Sequence, residues 1–575
     1  MSGAAYSLLL LQDTISHQLR YNWMTYHTMA FILKLMKRSP VSRVYTLGLD
    51  FGTQSVKTIV LNVHTAEVVY TDSFEYDSFL PQYGTHRGVL PEKSLEIRHT
   101  SPFMIIEALD MAFARLQASG VEIEHIKVVK IDAMQHCTVY ADSSFRERLS
   151  ALDPEGDLLH QLQPCITRKT SPIWEDRSTI EEVDYLTNTL EKNGAIQFLT
   201  GNKAELRFPA AQILKWARQC PGEYSQTEHI FLLSAFLSSI LAGNIAPVDT
   251  GDGWGTNLNN VDINNPGWSD IVISAADRYL RRLGLESPIR GRLGEIANYD
   301  TVLGFISPYF SKKYGICSEA IVLAGTGDNP ATLLGCGGHT MVSLGSSYTV
   351  NGVMEDITPS SIGGYNVFGY IPGSAMALTV FTNGAKVHEY FMEQYAQRIR
   401  FTKEVEKDWE AYVSAAGEAI LNDNEKLMLP YLLDESVPIR PRGIIRDGFE
   451  ERDGNSNIRA LHISQALSLR LHSLHLSHTD EICVVGGAAG NRFFRQLIAD
   501  VFEARTYTIK HAGFAACLGC AISGAKVLLQ IPYEEAANRY VQADKTSQMG
   551  SLRENKSAIR TLLHRYEELE RSTTT

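Results

Sequence analysis

Two short stretches of the same kind, about 300 residues apart, constrain this chain more than any other feature. The first is Tyr45-Thr-Leu-Gly-Leu-Asp-Phe-Gly-Thr-Gln-Ser-Val-Lys-Thr-Ile-Val-Leu-Asn62. Apolar residues run up to Asp50, small and polar residues follow, and a second apolar run begins at Val56. The pattern predicts a buried strand, a tight turn and a returning strand. The turn offers the Asp50 carboxylate, Gly52, and the polar side chains of Thr53, Gln54 and Ser55. Backbone N–H groups and hydroxyls in such a turn can face phosphate oxygens. Asp50 at the strand end can hold a hydrated magnesium ion, a hard cation that takes oxygen ligands. A plain hairpin would use the same residues. The second copy decides between these readings: Met341-Val-Ser-Leu-Gly-Ser-Ser-Tyr-Thr-Val350, with Gly345, Ser346 and Ser347 at its turn. Two phosphate-type hairpins predict a duplicated fold acting on one nucleotide.

The 575 residues are enough for two or more domains. Each half reads as a strand hairpin, a third strand, a helix, a strand and a helix, which predicts two α/β domains flanking a cleft. The division is expected at 43–267 and 268–575, with helices near 102–118, 384–395, 404–421 and 458–477. Residues 1–42 precede the first convincing strand and read as an extension outside the fold. Their apolar run Ser7-Leu-Leu-Leu-Leu11 is too short for a signal segment. A net charge of −12 with no long basic run argues against nucleic-acid binding. No run of 18 apolar residues suggests a membrane span, and the cytosol is the expected compartment. The eight cysteines show no disulfide framework. Cys517-Leu-Gly-Cys520 sits among small residues and reads as a closely packed helix, not a metal or redox motif.

No Gly-x-x-x-x-Gly-Lys-Ser/Thr loop occurs, and no Gly-x-Gly-x-x-Gly follows a strand, so the hairpins must hold the phosphates. Gly486-Gly-Ala-Ala-Gly-Asn491 lies between an expected strand and helix. It suits close approach to a flat ring or ribose, or a simple strand–helix turn capped by Asn491. Asp252, in Gly251-Asp-Gly-Trp-Gly255, can take a proton from a hydroxyl during phosphoryl transfer, or make an ordinary Asp-Gly turn. Asp328 and Asn329 follow a strand end, where doubly wound sheets place ligands. His136 also ends a strand and can donate to a sugar oxygen, or serve the structure alone. His472, His475 and His478 have helical spacing and read as capping or surface residues.

Together and in order, these landmarks resemble the FGGY family of carbohydrate kinases, and within it the xylulokinase group. The resemblance runs from about Tyr45 to Ala525 through the Asp50–Ser55 turn and Gln135-His136. It continues in Ser171-Pro-Ile-Trp-Glu-Asp-Arg-Ser-Thr179 and Thr200-Gly-Asn-Lys-Ala-Glu-Leu-Arg-Phe208. Gly251-Asp-Gly-Trp-Gly-Thr-Asn-Leu258, Thr326-Gly-Asp-Asn329, Gly345-Ser-Ser347, Asn383-Gly384 and the Gly486–Asn491 loop complete it. No single motif is specific; the ordered set is.

The resemblance implies an α/β fold of two duplicated actin-like (ribonuclease-H-like) domains with the catalytic cleft between them. It also implies ATP- and Mg2+-dependent phosphorylation of a ketose, with D-xylulose to D-xylulose 5-phosphate as the first expectation. Asp252 matches the catalytic base, and Asp50 the residue near magnesium and the γ-phosphate. His136, Arg207, Asp328 and Asn329 match sugar-binding positions. Gly487, Ala488 and Asn491 match the nucleotide loop, with Trp409 near the adenosine. The implied partners are a small sugar and ATP, with no nucleic acid or membrane, and a homodimer remains an open expectation. Kinases for another pentulose or a polyol stay open as alternatives. So does an actin- or chaperone-like ATP switch, which would not need Asp252 beside His136 and Arg207. Three departures bear on the substrate. Ala133-Met-Gln-His-Cys-Thr138 stands where Gly-Gln-Gln-His-Gly-Ser is usual, which is expected to alter the wall beside the sugar. Trp254 replaces a small residue, and Gly-Ser-Ser replaces Gly-Thr-Ser.

Overall fold

The computed structural model describes residues 43–360, 364–395 and 409–572. The expected extension 1–42 and the first part of the helix expected near 404–421 lie outside the described residues; within them, the helix there runs only over Trp409–Ser414.

The first half is built on strands β1 (Tyr45–Phe51), β2 (Ser55–Asn62) and β3 (Val68–Glu75), then helix α1 (Pro102–Ala118) and strand β4 (Ile126–Ala133). Helix α2 (Leu233–Ala242), strands β5 (Val302–Phe305), β6 (Ile321–Leu323) and β7 (Thr326–Gly327), and helix α3 (Asp328–Gly335) follow. β1 and β4 are buried along their whole length and pair in parallel, as central strands covered on both faces do. Even Lys130 of β4 is inside, donating to the carbonyls of Tyr299 and Ala324 at 2.6 Å each. α1 starts where the sequence expects it. Ser101 accepts the Met104 N–H as N-cap, and Pro102 takes the first position, where no N–H is needed.

The second half comprises β8 (Thr340–Leu344), β9 (Tyr348–Met354), β10 (Asn366–Gly369), β11 (Ala375–Phe381), helix α4 (Gly454–Leu471) and β12 (Glu481–Val485). Helix α5 (Arg492–Phe502), β13 (Arg505–Ile509), helix α6 (Ala515–Leu529) and β14 (Ala543–Met549) complete its sheet. The sheet orders are β5-β6-β4-β1-β2-β3 and β10-β11-β9-β8-β12-β13-β14. Each has an antiparallel hairpin, a third antiparallel strand on one side, and two parallel strands and an antiparallel edge on the other. The duplication expected from the two hairpins is therefore present in six strands of each sheet, and β10 extends the second sheet beyond β11.

The division expected at residue 267 falls elsewhere. β5, β6 and β7 complete the first sheet, with β6 and β7 adding parallel to β4, so the chain changes sheets between Gly335 and Thr340. A parallel partner arrives only after a crossover, and local pattern does not reveal which sheet it joins. At the join, α3 crosses α6 on small residues. A Cβ at Gly335 would lie 1.9 Å from the Ala515 carbonyl oxygen, and one at Gly519 would lie 2.0 Å from that of Ala331. Only glycine permits this reciprocal contact. Cys517 and Cys520 are buried free thiols in α6, so the packing reading of that segment holds. Residues 512–529 are long and apolar enough to cross a membrane, with mean hydropathy 1.7, but α6 spends that apolarity in a core shared with Met341 and Cys483 of the second sheet. α4 ends at Leu471, short of the expected 477, because the chain turns through His472–Ser477 into β12.

Candidate active site

Register places the first group of carboxylates. Asp50 at the end of β1 pairs with Asp132 of β4, which in turn pairs with Thr326 of β7, and Asp328 opens α3 directly after β7. Asp50 lies 3.2 Å from Lys57 Nζ, its neighbour across the hairpin. Burial, and then the charges of Asp50 and Asp328, push the Asp132 carboxyl well above its ordinary range. Burial and the Asp50 charge push Asp328 up to about 7. Among the described residues, no group of three or more His, Cys, Asp or Glu side chains is arranged to hold a metal ion. The Asp50 carboxylate is the hard oxygen donor there, of the kind a hydrated magnesium ion takes. In the turn itself, Gly52 N–H donates to the Ser55 carbonyl at 3.1 Å. Trp174 Nε1 donates to Thr53 Oγ1 at 3.0 Å, and Arg87 Nε reaches Gln54 Oε1 at 3.4 Å.

Asp252 was expected in a glycine-rich loop. It sits instead in a single helical turn, Thr250–Gly253, because Asp249 caps that turn by accepting the Asp252 N–H at 2.8 Å. Its side chain is buried. Ser234 Oγ of α2 donates to Oδ2 at 2.6 Å, and Oδ1 has no hydrogen-bond partner among the described residues. Burial above all raises this carboxyl well beyond its usual range; Ser234 opposes the shift, and the charges of Asp249 and Asp328 add to it.

Two adjacent side chains hold this segment. Gln135 Nε2 donates to the Gly251 carbonyl at 3.0 Å, while Gln135 Oε1 accepts from Asn329 Nδ2 at 2.7 Å. His136 Nδ1 lies 2.8 Å from the Gly255 carbonyl, which can only accept. The proton is therefore on Nδ1. Burial, and then the Arg207 charge, hold the ring down to about 3, so it is neutral and Nε2 is an acceptor. The expected donation from His136 to a sugar oxygen is thus reversed: the free nitrogen accepts. His136 has φ 69°, an uncommon conformation for a side chain of this size, and stacks on Phe208 at 4.4 Å. Arg207 Nη2 donates to Asn366 Oδ1 at 2.8 Å.

In the second half, the Gly345–Ser347 turn follows β8 and the Gly486–Asn491 loop follows β12, its parallel neighbour. The two loops touch, since a Cβ at Gly486 would lie 2.7 Å from the Leu344 carbonyl carbon. A Cβ at Gly487 would meet nothing within 4 Å, so this loop faces open space. Ala488 is its second helical residue. Asn491 Oδ1 caps α5 by accepting the Phe494 N–H at 3.0 Å, and its Nδ2 lies 2.9 Å from His462 Nε2. The exposed Trp409 ring packs edge-on against Tyr412 at 5.7 Å, and Tyr412 lies 5.8 Å from the His462 ring. Trp409 therefore belongs to the Asn491 side of the molecule.

Two of the three departures from the family pattern turn out to be packing changes. Met134 is buried in the core of the first half. Trp254 is buried with Met354, Val367, Ala375 and Ala377 of the second sheet, where two alanines leave room for the indole. The expected change in the sugar wall therefore does not come from the Met134 side chain. His472 is paired with Glu570 at 3.1 Å, His475 stacks on Tyr365 at 3.6 Å, and His478 is exposed near Asp480. They form no common site. Sequence reading missed Asp132, Ser234 and Asn366. Ser234 carried a faint signal, as a polar residue in an apolar helix; the other two are placed by register alone.

A duplicated actin-like α/β fold, with carboxylates at the strand ends of one half and glycine and hydroxyl loops at those of the other, defines a sugar-kinase architecture. The comparisons agree. Residues 45–335 match the N-terminal domain, and residues 340–528 the C-terminal domain, of the FGGY family of carbohydrate kinases. The chain belongs to that family. It is 31% identical over 490 residues to a xylulose kinase of Mus musculus, covering 83% of this chain and 84% of the relative. It is 31% identical over 534 residues to a xylulose kinase of Schizosaccharomyces pombe, covering 86% and 92%. Among solved structures, a xylulose kinase from Rhodospirillum rubrum superposes with TM-score 0.75 at 15% identity, over 92% of this chain and 98% of the other. A gluconate kinase from Lactobacillus acidophilus gives 0.72 at 18%, also over 92% and 98%. The fold is thus shared by kinases of different sugars and does not by itself choose among them.

Proposed function

We propose that this carbohydrate kinase transfers the γ-phosphoryl group of ATP to D-xylulose, giving D-xylulose 5-phosphate and ADP. The substrate is the one named for its curated relatives. The observation that carries the chemistry is the Asp252 carboxylate. It is buried, held on one oxygen by Ser234, without a partner among the described residues on the other, and tied through Gly251 and Gly255 to Gln135 and His136.

In this reading the sugar hydroxyl lies against Asp252 Oδ1. As its oxygen bonds to phosphorus and the bond to the β–γ bridging oxygen breaks, its proton passes to Asp252. A carboxylate whose burial strengthens its hold on a proton suits that task. His136 Nε2 accepts a hydrogen bond from another sugar hydroxyl, Arg207 donates, and Asp328 and Asn329 fix further hydroxyls. The backbone and hydroxyls of Gly52, Thr53, Gln54 and Ser55 face the phosphates from one side, and Gly345, Ser346 and Ser347 from the other. Gly487, Ala488 and Asn491 hold the nucleoside, with Trp409 nearby. Magnesium, when bound, neutralises charge on the phosphate oxygens, and Asp50 would hold it. The eight free thiols suit a reducing compartment, and we place the enzyme in the cytosol.

A coupled ADP-release assay over ketopentoses, hexuloses and polyols tests the reading. D-xylulose should give the highest kcat/KM. Preference for another acceptor would overturn the substrate, and absence of sugar-stimulated ADP release would overturn the reaction.

A further inference from the structure

The second half also lends its edge strand to the proposed sugar site. Side chains two apart on a strand share a face. On β10, Asn366 meets Arg207 at 2.8 Å, and Phe368 lies with its ring 6.0 Å from that of His136. One face of β10 therefore backs both of these sugar-site candidates. The contact is close: a Cβ at Gly369 would lie 2.5 Å from the carbonyl oxygen of Thr250, in the turn that carries Asp252.

The orientation of Asn366 is fixed by its neighbours. Asn202 Oδ1 accepts the Val367 N–H at 2.8 Å and the Asn366 Nδ2 at 3.3 Å. Asn202 Nδ2 donates to the carbonyls of Val367 at 2.8 Å and Trp254 at 3.2 Å. Asn366 must therefore present its oxygen to Arg207. That is the hydrogen bond made by the guanidinium among the described residues, and the other donors remain for a ligand. An unanchored arginine samples many rotamers, and ordering it on binding weakens affinity.

We propose that Asn366 is a positioning residue of the acceptor site, holding the Arg207 guanidinium beside His136 from the half of the chain that carries the nucleotide loops. The acceptor site is then incomplete in the first half alone. This inference rests on the assignment of Arg207 to the sugar, and the variants separate the two claims.

The test uses the full chain, with D-xylulose affinity measured by calorimetry without nucleotide, and KM and kcat measured at saturating ATP. Asn366→Ala should weaken D-xylulose binding about tenfold or more in both Kd and KM, the usual effect of losing a hydrogen bond to a charged group. ATP KM and kcat at saturating sugar should stay within a few-fold. Asn366→Asp keeps an acceptor for Arg207 but sets an oxygen against Asn202 Oδ1, so its sugar KM should fall between that of the parent and that of Asn366→Ala. Adding Asn366→Ala to Arg207→Ala should cost nothing further. A normal sugar KM in Asn366→Ala, while Arg207→Ala raises it, would overturn the positioning role. Equal rises in ATP and sugar KM, or equal impairment of the Ala and Asp variants, would reduce Asn366 to a strand residue and also overturn it. A normal sugar KM in Arg207→Ala would instead sink the sugar assignment on which the inference stands.

Discussion

The two halves share a topology and differ in electrostatics. At the strand ends of the first stand Asp50, Asp132 and Asp328, with Asp252 packed beside them; burial pushes Asp132, Asp252 and Asp328 towards holding protons. At the matching ends of the second stand Gly345–Ser347 and Gly486–Asn491, backed by two buried histidines that carry no charge. Burial holds His462 down to about 4, and His388 well below its ordinary value. His388 Nε2 donates to Gln465 Oε1 at 2.7 Å, and Gln465 Nε2 donates to the Asn383 carbonyl at 2.9 Å beside the Gly345 turn. One scaffold was thus fitted twice. In the proposed reaction the first copy would handle a proton and a cation, and the second would offer neutral dipoles to a polyanion.

The sharpest way to break this contrast is Asp252→Asn. The amide keeps the shape but cannot take a proton, and general-base catalysis is worth on the order of 10²–10⁴-fold, or about 3–5 kcal/mol of barrier. kcat should fall by that factor while calorimetry shows D-xylulose binding within a few-fold. Normal turnover would remove the base from the acidic half.

Asp328→Asn tests the cost of the carboxylate cluster itself. The folded carboxyl titrates at about 7 against an ordinary 3.8, so the folded state holds its proton longer than the unfolded one. Stability then falls as pH rises from about 4 to about 7, and the loss is complete above that window. Asparagine cannot ionise. In metal-free buffer, urea unfolding should show the variant more stable than the parent at pH 8, on the order of 2–4 kcal/mol, and nearly equal at pH 4. A difference independent of pH would mean that Asp328 is not held in this way.

The duplication and both hairpins were legible in the sequence because turn chemistry and strand period are local. So were α1 and the small-residue helix α6. What escaped is long-range. β5–β7 return to the first sheet after a crossover, so the division at 267 looked natural. Asp132 and Asn366 gain their neighbours from register across strands, which no run of letters displays. The polarity of His136 followed from one carbonyl 119 residues away in sequence. Asp252 looked like a loop residue because Asp-Gly pairs favour turns, whereas the Asp249 cap winds the segment into a helical turn.

Gly519→Ala probes the join between the halves. The new methyl would overlap the Ala331 carbonyl at 2.0 Å, and backbone cannot swing aside as a side chain can. Overpacking of this kind costs about 1–3 kcal/mol. The midpoint of thermal unfolding should drop, and an unchanged midpoint would show that α3 and α6 do not cross so closely.

The smallest expected effect isolates the neutral half. His462 is buried, and its Nδ1 lies 2.7 Å from the Ile458 carbonyl, which puts the proton there and leaves Nε2 to accept from Asn491. Asn491 then spends its oxygen on the cap of α5 and its amide on His462, so the loop proposed to hold the nucleoside is fixed from behind. His462→Leu leaves that half-buried amide without its acceptor, a loss of about 1–3 kcal/mol at most. Part of it should appear as a rise of roughly tenfold in ATP KM, with sugar affinity unchanged. His462→Gln can still accept and should recover most of the loss. Because the ring is already neutral well above pH 4, the parent's ATP KM should owe no pH dependence to this residue between pH 6 and 9. If His462→Leu weakened sugar and ATP alike, the histidine would be supporting the whole fold, and the division of labour between the halves would lose its clearest evidence on the nucleotide side.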